Sequence, residues 1–82
     1  MANKKIERVQ TGMRIEKRIL KVLKMVATHY EISLGDLIEG IVLHSFENKS
    51  PFDRESLKLI ESMKKLNGLD LTAADSHKLS ED

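Results

Sequence analysis

Basic side chains crowd one end of this sequence. The first 24 residues hold Lys4, Lys5, Arg8, Arg14, Lys17, Arg18, Lys21 and Lys24 against Glu7 and Glu16, a net of +6. The other 58 positions hold six basic and eleven acidic residues, a net of −5. Charge divided in this way suits an anionic partner at the N-terminal end. The plain alternative is a solvated basic face beside an acidic tail. A membrane surface is not expected, because no bulky aromatic face lies opposite the cations. Other chemistry is sparse. His29, His44 and His77 include no i, i+4 pair, and no carboxylate cluster completes a metal set. Gly35, Gly40 and Gly68 form no phosphate-cradling loop. No nucleophile–base pair can be assembled, so neither an enzyme nor a cofactor is expected.

The chain of 82 residues suffices for one small domain. A core of that size is marginal alone and ordinarily needs a staple, a metal or a second subunit. Cysteine is absent, which removes disulfides and thiolate sites and is compatible with a cytoplasmic home. The N-terminus runs into charge without an apolar run, so no secretory signal is expected. No stretch approaches the roughly 20 apolar residues of a membrane span.

The elements that must position the basic residues follow from periodicity. Val9, Thr11, Met13 and Ile15 alternate with Arg8, Gln10, Gly12 and Arg14, as in a short strand with one covered face. No second alternating segment exists, so a strand over 8–15 has to pair with another molecule. Over 16–30 the spacing becomes helical: Ile19, Leu20, Leu23, Val26, Ala27 and Tyr30 make one stripe, widened by Val22 and Met25. No good cap starts this helix. Ser33, with Asp36 three residues on and Ile32 and Leu37 flanking, marks the start of a second helix running to about Glu47. Its Leu34, Leu37, Ile38, Ile41, Val42, Leu43 and Phe46 exceed one stripe, so two faces should be buried, the second by a partner chain. Gly40 inside it suits a close helix crossing at a dimer seam. Ser50 as cap, Pro51 in the first turn and Asp53 at the box position predict a third helix over about 52–66, with Phe52, Leu59, Ile60, Met63 and Leu66 on one side. Asn67-Gly68 ends it, and the tail over 69–82 shows no firm period and is expected to be partly ordered or disordered.

Strand, helix, turn and helix within about 40 residues is the order of the ribbon-helix-helix (Arc/MetJ/CopG-type) DNA-binding family, which residues 8–47 resemble. Leu34, Ile38, Val42 and Phe46 resemble the spaced apolar residues of that family's second helix. The resemblance implies a mainly α fold: an intertwined homodimer with one short β-strand per chain pairing across the dimer, here with an added C-terminal helix. The domains expected are a basic arm over 1–7, the ribbon-helix-helix unit over 8–47, the helix over 50–68 and the tail. It implies base contacts from Gln10, Gly12 and Arg14 in the major groove. Arginine bonds bidentately to guanine and glutamine to adenine; Gly12 has no side chain to read with. It also implies a phosphate held by Ser33 and the amides of Leu34 and Gly35, although the carboxylate of Asp36 at the same helix end opposes a phosphate. Lys4, Lys5, Arg8, Lys17, Arg18 and Lys21 add phosphate attraction. The dimer core falls on Val9, Met13, Ile38, Ile41, Val42 and Phe46. Three buried charged positions of Arc align with apolar Ile32, Leu37 and Ile41 here. The turn between the helices often carries a left-handed glycine in this family; here the aligned residue is Glu31, which adopts that conformation at a cost.

The expectation is a dimeric transcriptional regulator, a repressor acting on its own or a nearby operator. The alternative is an interaction module, similar to ribbon-helix-helix antitoxins, whose residues 50–82 bind a protein partner. In a third reading the ribbon is kept but no longer reads DNA.

Overall fold

The computed structural model describes residues 3–81; the first two positions of the expected arm and Asp82 of the tail lie outside the described residues. The architecture is mainly helical, with α1 at Lys17–His29, α2 at Leu34–Phe46, α3 at Arg54–Leu66 and a 3₁₀ turn at Ala73–Asp75. No strand occurs among the described residues. The expected strand over 8–15 is an exposed, irregular arm in the single chain. The physical reason is the one the pattern implied: a strand exists by laddering against a neighbour, and this chain has no second alternating segment to supply one.

Each helix starts on a side-chain cap. Glu16 caps α1, accepting from the amides of Arg18 at 2.9 Å and Ile19 at 3.0 Å. Ser33 Oγ caps α2, accepting from the Asp36 amide at 3.1 Å. Asp53 caps α3, accepting from the Ser56 amide at 2.8 Å. The expected start of α3 at Ser50–Pro51 is corrected by this. Ser50 Oγ donates to the Phe52 carbonyl at 3.0 Å instead, and the charged Asp53 takes the cap, where an ionised acceptor also favours the positive end of the helix dipole.

The three helices end alike. The residue after the cap takes a left-handed conformation: Glu31 at φ 56°, Asn48 at φ 56° and Gly68 at φ 63°. In each case the next amide reaches back over six residues, Ile32 to the Ala27 carbonyl at 3.0 Å, Lys49 to His44 at 2.8 Å and Leu69 to Lys64 at 2.8 Å. This double closure satisfies carbonyls that the helix leaves open.

The core gathers Val22, Val26 and Ala27 of α1, Leu37 of α2 and Met63 of α3. Leu23, Met25, Ile41, Phe52, Leu59, Ile60 and Leu69 pack around it. The central helix is α1, which packs against both α2 and α3. Val22, expected only to widen the stripe, is therefore central, while Tyr30 turns outward and its hydroxyl hydrogen-bonds Ser56 Oγ. Leu66 is 76% exposed, contrary to its expected place on the packed side of α3; the next residue, Asn67, turns to α1 instead, donating to Met25 Sδ at 3.0 Å. The radius of gyration is 14.1 Å, against about 12 Å for a compact domain of this length.

Candidate nucleic-acid interface

The candidate residues lie mainly on the arm. Gln10, Gly12 and Arg14 are all exposed, as are Val9, Thr11, Met13 and Ile15 between them. Val9 is 79% and Met13 68% exposed, so both faces of the alternating segment are open to water. The arm is anchored at one end by Arg8, whose guanidinium donates to both carboxylate oxygens of Glu39 on α2 at 2.9 and 2.8 Å. This bond holds the Glu39 carboxyl below its ordinary range. At the other end Arg14 Nε donates to Glu81 Oε1 at 3.2 Å, and its terminal nitrogen pairs with Oε2.

Arg18 forms the third anchor. Its guanidinium donates to the Gly68 carbonyl at 2.9 Å, to Asp70 at 3.0 Å and to Glu16 at 3.1 Å. Partial burial pushes the Glu16 carboxyl up, yet the Ile19 amide and Arg18 together outweigh it and hold the group below its ordinary value. The three arginines of the basic front are thus each engaged by a carboxylate of the same chain. Lys4, Lys5, Lys17 and Lys21, together with Lys24, are exposed, and among the described residues none lies in an ion pair. The lysines are the free cations of this face and the arginines the engaged ones.

At the start of α2, Ser33 and Gly35 are exposed and Leu34 is half-buried. The amides of Leu34 and Gly35 belong to the first turn, where a helix offers no internal acceptor. The Asp36 amide is taken by Ser33, so the carboxylate of Asp36 is the one anionic group on this turn.

The expected dimer-core residues divide. Ile41 packs on the core of its own chain and Ile38 is half-buried, while Val42 is exposed and Phe46 is 81% exposed. With Leu43 and the arm residues Val9 and Met13, these make a set of large apolar side chains that one chain leaves uncovered. The tail is more regular than its sequence implies. Leu69 packs on the core, the Thr72 amide donates to Asp75 at 2.8 Å, and Asp70 and Glu81 bond Arg18 and Arg14. Among the described residues no cluster of His, Asp and Glu could hold a metal, and His44 spends Nδ1 on the Gly40 carbonyl at 2.7 Å. Among the described residues no helix is long and apolar enough to cross a membrane.

The ties of Arg8 to Glu39, Arg14 to Glu81 and Arg18 to Asp70 escaped the sequence reading. They join residues 31, 67 and 52 positions apart, and no local spacing signals them. Segregated charge was the available hint, since an acidic second half can fold onto a basic first half. No family model, curated protein or solved structure matches the chain.

Proposed function

We propose that two copies of this chain form a ribbon-helix-helix dimer that binds DNA and regulates transcription. The observation that carries this reading is the uncovered set Val9, Met13, Val42, Leu43 and Phe46. Large apolar side chains left open in this number mark a candidate interaction site, and their place on both the alternating arm and α2 suits a second copy. Pairing the two arms would supply the ladder that residues 8–15 lack. It would bury Val9 and Met13 and turn Gln10 and Arg14 of both chains to one side. Arg14 would bond guanine O6 and N7, and Gln10 adenine N6 and N7. The amides of Leu34 and Gly35, with Ser33 and the free lysines, would hold backbone phosphates on either side. The left-handed Glu31 supports the same reading, because it provides the turn at the position where the resemblance requires one.

A second reading, a module whose residues 50–82 bind a protein partner, is supported by the exposed Leu57 and Leu66 on α3. Met63 of the same helix is buried against α1, so a partner would have to use the outer face of α3 without detaching it.

Selection of bound duplexes from a random pool tests the DNA reading. A two-fold dimer should enrich a short inverted repeat, bound at two chains or a multiple of two per duplex. Recovery of an unenriched pool would contradict it.

A further inference from the structure

We propose that the C-terminal segment is a built-in competitor for the DNA-reading surface, with Glu81 occupying the guanidinium fork of Arg14 that would otherwise meet a base edge or phosphate. This rests on the DNA-binding reading above. The Arg14–Glu81 contact uses two nitrogens and both carboxylate oxygens, the same two-pronged geometry by which arginine meets guanine or phosphate. One fork cannot serve both. The segment is placed to do this at two points. Its beginning is pinned where Arg18 bonds the Gly68 carbonyl and Asp70, and its end lies along the arm, where Met13, Ile15, Leu20 and Leu79 line a groove of about 750 Å³ together with Arg14 and Glu81. Between them the Thr72–Asp75 turn folds the chain back.

The contact is built to yield. The side chains of Arg14 and Glu81 are 84% and 75% exposed. Exposed pairs of this kind are weak and screened by salt, so a polyanion bringing several phosphates can displace the tail. The expected inhibition is correspondingly mild, about two- to fivefold in affinity at low salt and vanishing at high salt. The device lowers binding to arbitrary DNA and is overcome where a full set of base contacts forms.

The test is a double-mutant cycle on the full-length protein. Wild type, Glu81→Gln, Arg14→Ala and the double variant are titrated with a random-sequence duplex at low and high salt. Glu55→Gln serves as a control that removes one negative charge from α3. In parallel, the Arg14 Nε–H resonance is followed in the free proteins. Glu81→Gln should tighten binding about two- to fivefold at low salt, should have no such effect in the Arg14→Ala background, and should shift the Arg14 resonance. An equal gain in both backgrounds, or a gain no larger than that of Glu55→Gln, would overturn the proposal by reducing it to net charge. So would unchanged affinity in Glu81→Gln while Arg14→Ala weakens binding, an outcome that leaves the DNA reading standing. If no protein binds duplex, the DNA reading itself fails and the proposal with it.

Discussion

Arg8 on the arm and Glu39 in the middle of α2 face each other as two parallel forks, 2.9 and 2.8 Å apart. The pair fixes where an otherwise irregular segment leaves the helical body. Its strength depends on an ionised carboxylate, and hydrogen bonding to Arg8 lowers the Glu39 pKa. The Ser56 amide lowers that of Asp53 in the same sense. Groups depressed in this way bind protons more readily unfolded than folded. Their contribution to stability is complete above the unfolded values of about 4 and is lost as pH falls through the folded ones. Denaturant midpoints should therefore stay level from neutral pH to about pH 5 and fall below about pH 4. In Glu39→Gln the part of the fall due to this pair disappears.

Phe46 tests the dimer without touching the helical core. A side chain 81% exposed in one chain should tolerate replacement if the protein works alone. Covered by a second copy, each phenylalanine contributes about 1.5–3 kcal/mol, and a dimer holds two. Phe46→Ser should then raise the dimer dissociation constant roughly a hundredfold or more, as measured by sedimentation over a range of concentrations. An unchanged sedimentation profile would remove this residue from the interface.

Glu31 and Ser33 bracket the turn that aims α2. Glu31 takes a left-handed conformation, which is costly for a residue with a Cβ. Glu31→Gly should stabilise the fold by about 0.5–1 kcal/mol, less than the full relief because glycine also loosens the unfolded chain. Ser33→Ala removes the bond to the Asp36 amide and should cost about 0.5–2 kcal/mol. Both are read from urea midpoints, and opposite signs are the expected result.

Met63 decides whether α3 belongs to the body or is held for a partner. It is the one buried residue of α3, and it lies in the core with Val22, Val26 and Ala27 of α1. Met63→Ala should cost about 2–5 kcal/mol in chemical denaturation. A cost below about 1 kcal/mol would mean that α3 is loosely docked and free for another protein.

The helices were legible because their stripes have a 3.6-residue period and because Ser33 and Asn67-Gly68 are standard punctuation. Glu31 was legible only through the resemblance, since nothing in its residue type favours a left-handed turn. The start of α1 was not, because glutamate is not among the usual caps; here its longer side chain reaches two amides and also takes Arg18. At α3 two neighbouring candidates competed, and the charged Asp53 prevailed over Ser50. Of the candidate interface, the exposed alternation from Arg8 to Ile15 was readable, whereas the engagement of each arginine was not. Ion pairs between distant segments depend on the tertiary path of the chain and leave no periodic trace.

The most direct measurement is a duplex titration of wild type and Arg14→Ala at two salt concentrations, using the site recovered by selection. Affinity should fall steeply with salt, as counterions are released from each neutralised phosphate, and the variant should lose about 1–3 kcal/mol on the preferred site and a smaller amount, that of one lost phosphate contact, on random DNA. A folded protein that binds no duplex at either salt, or a variant equal to wild type on every sequence, would contradict it.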